Sequence, residues 1–255
     1  MKKASIVILA GKDESSTIMY HALKDDVNVL KVLVEEPVSK KRLIKNRIRR
    51  LGVITVFGQI LFIVFNKIWV RLAKDRIAEI KMQYGLNNTP VETQKYHPVE
   101  SVNSDEVISL LQELQPDAVV VNGTRIIAER VLESIDAPFI NTHAGITPKY
   151  RGVHGGYWAL AEDDAAHCGV TVHLVDTGVD TGGILYQSII QPEKTDSFNT
   201  YPLLQLAEAI PLMRQALKDV LHGDLRPVAV DLPSKLWYHP TLWEYATNYL
   251  RRGVK

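Results

Sequence analysis

The stretch from Pro138 to Ile184, PFINTHAGITPKYRGVHGGYWALAEDDAAHCGVTVHLVDTGVDTGGI, decides the fold. It reads as two apolar strands separated by a glycine- and charge-rich connection. Phe139, Ile140 and Asn141 form a short buried strand, and because side chains alternate along a strand, Asn141 and His143 point the same way. An amide and an imidazole therefore face one spot. The second apolar run, Gly169 to Val175, ends in DTGVDTGG, which should deliver Asp176 and Asp180 near the end of a neighbouring strand. Polar groups gathered at strand ends are where open α/β sheets keep their sites.

Working outward, Ala118 to Val121 is an apolar strand, and Asn122-Gly123 turns the chain into a helix starting near Arg125. Before it, Pro98 to Asn103 reads as a strand, and Asn103 with Glu106 resembles a capping box opening a helix to Leu114. At the N-terminus, Ala4 to Ala10 is a buried run ending at Gly11. A helix through Leu23 follows Ser15-Ser16, and Val27 to Val34 is the next strand. The alternation predicts an α/β fold: a Rossmann-like, mostly parallel sheet covered by helices on both faces. Asn122-Gly123 should then lie beside Asn141-Thr142-His143. The turn GKDESS lacks the GxGxxG and GxxxxGKS patterns; Ser15 and Ser16 read as a helix cap, with a substrate phosphate at that helix N-terminus as the alternative.

Residues 38 to 85 interrupt this rhythm. KKRLIKNRIRR packs seven basic residues into positions 40 to 50, and the apolar run after it reaches only from Leu51 to Phe65. That is shorter than the ~20 residues a bilayer span needs. The expectation is a helical insertion packed on the core or against a second copy of the chain in a homodimer. An amphipathic element over 38–70 resting on anionic lipid is the alternative. After Ile190 a long helix should run to Leu221, kinked or broken at Pro211 and closed by Gly223. A short strand and a terminal helix bearing Trp237, Tyr238, Trp243, Tyr245 and Tyr249 complete the chain. The expected division is a core of residues 1–200, holding the insertion, and an extension of residues 201–255.

With 255 residues, 46% of them hydrophobic, the chain can bury one substantial core. A net charge of +1 gives no reason to expect a nucleic-acid partner. Cys168 is the only cysteine, which excludes an internal disulfide, and the N-terminus lacks the apolar length of a secretory signal. The cytoplasm is the expected compartment, at the periphery of the inner membrane if the insertion meets lipid. His143, His173 and Asp180 lack the tight spacing of metal ligands, so no metal is expected. His173, inside a strand run, reads as a wall residue.

Taken together, Asn141-Thr-His143, Pro148-Lys-Tyr-Arg-Gly152, Trp158-Ala, Gly169-Val-Thr-Val-His and Asp176-Thr-Gly-Val-Asp180-Thr-Gly-Gly resemble the folate-dependent formyltransferase family. That family includes glycinamide ribonucleotide, methionyl-tRNA and sugar-nucleotide N-formyltransferases. The resemblance is dense over residues 117 to 190, thinner over 1 to 37, and absent from 38 to 85 and beyond 223. It implies an N-formyltransferase that uses 10-formyltetrahydrofolate as cosubstrate, with Asn141, His143 and Asp180 at the family's catalytic positions. It also implies that backbone at Asn122, Gly123, Thr124, Arg125 and Ile126, and at Val175, Gly178 and Val179, grips the pterin. The segment AGITPKYRG should run along the folate, exposing Tyr150, Arg151 and Gly152 to substrate. His154 and Gly155 stand where the tRNA enzymes carry a proline and a small polar residue, and should leave room for a bulkier acceptor. The acceptor expected is a small primary amine, a nucleotide-linked amino sugar for lipopolysaccharide or another surface glycan. Glycinamide ribonucleotide and methionyl-tRNA are the alternatives, as is a hydrolase that passes the formyl group to water.

Overall fold

A computed structural model describes residues 3–255. The first half of the chain comprises β1 (Ser5–Ala10), α1 (Glu14–Leu23), β2 (Asn28–Glu35), α2 (Lys40–Leu51), α3 (Val53–Trp69), α4 (Lys74–Gln83), β3 (Tyr96–Val99), α5 (Asp105–Leu114) and β4 (Ala118–Asn122). The second half comprises α6 (Glu129–Leu132), β5 (Phe139–His143), β6 (Arg151–Gly152), α7 (Gly155–Ala161), β7 (Gly169–Leu174), β8 (Ile184–Ile189), α8 (Tyr201–His222), β9 (Leu236–Trp237) and α9 (Leu242–Arg252). Seven strands form one sheet in the order β3-β2-β1-β4-β5-β7-β8, and β6 pairs with β9 in a separate two-stranded ladder.

The five strands from β3 to β5 are mutually parallel, while β7 and β8 are antiparallel to their neighbours. Alternation along β1 shows why both faces are covered. Ile6, Ile8 and Ala10 enter an apolar cluster with Met19, Leu23, Met213 and Leu217 of α1 and α8. Val7 and Leu9 enter a second cluster with Val107, Leu111 and Val131 of α5 and α6. Strands buried on both sides carry near-continuous apolar runs, as Ala118–Val121 of β4 does before its terminal Asn122. The chain leaves β1 in one direction for β2 and β3 and returns on its other side at β4, so the topological switch point lies between the ends of β1 and β4.

Several local expectations shift. Asp13, not a serine, caps α1, accepting from the Ser16 N–H. The hydroxyls of Ser15 and Ser16 both bond Asp13 and reach Asn122, so that helix end is internally satisfied. Ser104 rather than Asn103 caps α5, and β3 ends at Val99. The helix expected near Arg125 is only the single turn of α6. Pro211 does not break α8, which is continuous from Tyr201 to His222 and packs across β7 and β8 as part of the core. In the insertion, α3 seats Val56, Gln59 and Phe62 against the body, α4 buries Ile80, and α2 buries nothing.

Candidate active site

Asn141 and His143 share one side of β5, and antiparallel β7 places His173 directly opposite Asn141. The Asn141 amide nitrogen donates to His173 Nε2 at 3.1 Å, while His173 Nδ1 donates to the Leu174 carbonyl at 2.6 Å. Those two bonds fix the His173 tautomer. Because β7 is antiparallel, its end lies at the start of β5, where the Val175 N–H bonds the Phe139 carbonyl. The segment that follows must double back to bring Asp180 over His143. Asp176 makes that turn, accepting from the Gly178 N–H and the Thr181 hydroxyl, and so serves its own loop.

Asp180 adopts a left-handed backbone, φ 51°, and its Oδ2 accepts from the Gly152 N–H at 2.8 Å. The same Oδ2 stands 3.4 Å from His143 Nδ1, and Oδ1 stands 3.7 Å from His173 Nε2. His143 donates its other ring proton, on Nε2, to the Tyr150 carbonyl at 2.7 Å. Full burial pushes the His143 pKa down; Asp180 and the Tyr150 carbonyl pull it up, yet the balance stays below the ordinary histidine value. Burial pushes Asp180 up, but the two histidines and the Gly152 N–H outweigh it and hold the carboxyl below its ordinary value. At pH 7 the site therefore pairs a neutral imidazole, its Nδ1 lone pair free, with an ionised carboxylate.

Asn141, His173 and Asp180 line a cavity of about 330 Å³ at the ends of β4, β5 and β7, with His143 buried beside Asp180 and outside the lining. Of the residues expected to grip a cofactor, Gly123, Thr124, Arg125, Ile126, Val175, Gly178 and Val179 line it, together with Gly152. Asn122 does not; its side chain and carbonyl turn toward Ser15, Ser16 and Gly11. A larger cavity, about 600 Å³, opens beside the end of β1 and is lined by Gly11, Lys12, Asp13, Thr17, Asn88 and Tyr96 among others. Gly123, at φ 69°, sits between the two, and a Cβ there would meet the Asp13 carboxylate at 2.4 Å.

Three expected substrate contacts are corrected. Tyr150 is 2% exposed; its ring stacks on Trp237, its hydroxyl bonds Asp164, and burial pushes its phenol pKa up. His154 faces inward, with Nε2 2.9 Å from His239 Nδ1, and burial drives the pair down to about 3 and about 4. Gly155 leaves no room, since a Cβ there would lie 2.5 Å from the Gly145 Cα. Arg151 spans to the Val179 carbonyl and braces the loop that carries Asp180. His173 is the residue the sequence reading undervalued, and the signal for it was its place opposite Asn141, which needs the strand direction to be known.

The Formyl transferase family model matches residues 59–204, beginning inside α3, so the likeness extends into residues 59–85 of the insertion, where the motifs alone show none. Methionyl-tRNA formyltransferase from Synechococcus sp. (strain JA-3-3Ab) is 36% identical over 140 residues, covering 54% of this chain and 42% of the relative. That from Caldanaerobacter subterraneus subsp. tengcongensis is 30% identical over 152 residues, covering 59% and 47%. The chain thus spans about half the length of the curated relatives it matches. In fold it is similar to a sugar N-formyltransferase from Shewanella sp FDAARGOS_354, with TM-score 0.57 and 14% identity over 91% of this chain and 76% of that one. Glycinamide ribonucleotide transformylase 1 from Symbiobacterium toebii has TM-score 0.57 and 18% identity over 92% and 95%. With more than half its length matched by the family and its sheet shared with these structures, the chain belongs to the formyl transferase family.

Proposed function

We propose that the chain transfers a formyl group from 10-formyltetrahydrofolate to a primary amine, with Asn141, His143 and Asp180 as the reacting constellation. The observation that carries this reading is the convergence of the Asn141 amide and the Asp180 carboxylate on one wall of the 330 Å³ cavity, with the buried His143 imidazole against that carboxylate. The cavity suits a pterin: Ile126, 55% exposed, and Ile127, Val175 and Val179 give it apolar walls, and the buried Thr142 hydroxyl has no partner within the chain. Gly123, Thr124 and Arg125 on one side, and Gly178 and Val179 on the other, would hold the folate. Once bound, 10-formyltetrahydrofolate supplies the formyl carbon that the amine attacks.

Asn141 spends one amide hydrogen on His173 and keeps the other for the formyl oxygen as negative charge builds there. His143 accepts the amine's proton at Nδ1, because its Nε2 is already committed as a donor to Tyr150. The charged ring then faces Asp180, whose carboxylate offsets it, and gives the proton to the folate nitrogen as that nitrogen's bond to the formyl carbon breaks and tetrahydrofolate leaves. His173 and the Gly152 N–H act as positioning groups, one for the amide and one for the carboxylate.

The acceptor we favour is a nucleotide-linked amino sugar. The 600 Å³ cavity at the switch point supports it, being roomy, adjacent to the reacting groups across Gly123, and edged by Lys12, Asp13, Asn88 and the Tyr96 ring. The fold likeness to a sugar N-formyltransferase points the same way. The test is to incubate the protein with 10-formyltetrahydrofolate and a panel of amino-sugar nucleotides, glycinamide ribonucleotide and methionyl-tRNA, following tetrahydrofolate release. Fastest turnover with a sugar nucleotide is expected. Far faster turnover of either other acceptor would overturn the sugar while leaving the transfer intact, and formate release indifferent to every amine would make the chain a hydrolase.

A further inference from the structure

Between Glu36 and Asp75 the chain has ten basic residues and no acidic one, which leaves 20 basic against 29 acidic residues elsewhere. Seven of the ten lie on α2, and none of those seven forms an ion pair among the described residues. α2 buries no side chain, and its apolar Leu43, Ile44 and Ile48 remain about two-fifths exposed. α3 continues the anomaly. Ile54, Phe57, Leu61, Val64 and Ile68, spaced three and four apart, form one stripe along it, with exposures of 77%, 58%, 36%, 56% and 63%. A surface helix of a globular protein carries polar residues on that side.

The stripe cannot roll inward, because the opposite side of α3 is fastened. Phe62 meets Phe198 at 4.8 Å and Tyr245 at 5.0 Å between ring centroids, and the Gln59 amide donates to the His239 carbonyl at 2.8 Å. Trp243, 45% exposed, lays its indole against Gly58 at the edge of the stripe, the kind of amphipathic ring that settles at headgroup level. Among the described residues no single helix is long and apolar enough to cross a membrane, and α4 leaves α3 at 75°.

We propose that α2 and α3 dock this protein on an anionic lipid surface, the α3 stripe entering the boundary between headgroups and acyl chains while the α2 cations meet the headgroups. Charge decides the occupant. A symmetric contact with a second copy sets the same patch against itself, and here that brings two acid-free cationic surfaces together, whereas anionic lipid complements both halves of the patch.

The experiment is flotation of the full chain with vesicles of phosphatidylcholine alone and of phosphatidylcholine with 30% phosphatidylserine, paired with sedimentation velocity without lipid. The protein should float with the anionic vesicles only, and less as salt rises from 50 to 500 mM. The variant K40Q/K41Q/R42Q/K45Q should bind roughly a hundred-fold more weakly or worse. F57S/V64S should also lose binding, with a thermal melt showing that it stays folded. Absence of flotation, equal binding to both vesicle types, or a lipid-free dimer dissolved by F57S/V64S without any flotation would overturn the proposal.

Discussion

β5 and α3 are both apolar segments interrupted by a few polar residues, and they use that polarity in opposite ways. In β5, Asn141 and Thr142 meet Asp180 and His173 on one cavity while His143 stands buried against Asp180, and a hydroxyl and an amide hydrogen remain available. In α3, Gln59 and Asn66 each reach a separate partner, the His239 carbonyl and the Asn199 side chain, and so work as anchors. The comparison teaches that polarity inside an apolar run marks a reactive place when several groups meet with bonding capacity to spare. Where each group holds a separate neighbour, as the Gln59 and Asn66 amides do, it fixes an orientation.

The sharpest break of this comparison lies on α3. Phe62→Ala should cost about 3–5 kcal/mol in denaturant unfolding, since the ring sits among Phe198 and Tyr245 with almost no exposure. A loss below about 1 kcal/mol would mean that the helix is not seated as described. Asn141→Ala should lower kcat by roughly 100- to 1000-fold with little change in unfolding midpoint. Near-normal turnover would remove the amide from the chemistry.

A subtler test uses pH. Burial holds His143 below its ordinary value, and with the neutral ring as the proposed proton acceptor the rate should be level above that depressed pKa and fall as pH drops through it. Asp180→Asn removes the main influence raising that value, so the acid limb of the pH–rate profile should move to still lower pH. A limb that moves upward would show that Asp180 is not the charge facing the ring. The smallest effect belongs to the outer face of α3: Phe57→Ala should change stability by no more than about 0.5 kcal/mol, measured beside Phe62→Ala. A loss like that of Phe62→Ala would mean Phe57 is covered by a partner in solution.

The parallel half of the sheet was legible because buried strands such as that holding Ala118 to Val121 are near-continuous apolar runs, and strand alternation alone put Asn141 and His143 together. What escaped was non-local. The antiparallel direction of β7, which sets His173 against Asn141, leaves no trace in its own residues. Tyr150 and His154 looked open to substrate because their covers, Trp237 and His239, arrive from a distant segment. For α3, the apolar run suggested a helix but could not choose its buried side, since nearly every position is apolar. Gln59 and Asn66 mark that side, through partners only the folded chain reveals.

The pairing of β6 with β9 bears on when the protein becomes active during its own synthesis. Asn141, His143 and Asp180 leave the ribosome well before Trp237, and domains complete their packing only as their last elements emerge. The Tyr150 carbonyl that sets the His143 ring and the Gly152 N–H that holds Asp180 both flank a ladder whose second strand is Leu236–Trp237. A nascent chain halted at residue 230 carries every proposed reacting group and lacks the strand that aligns them, so catalytic competence waits for Leu236–Trp237 to emerge.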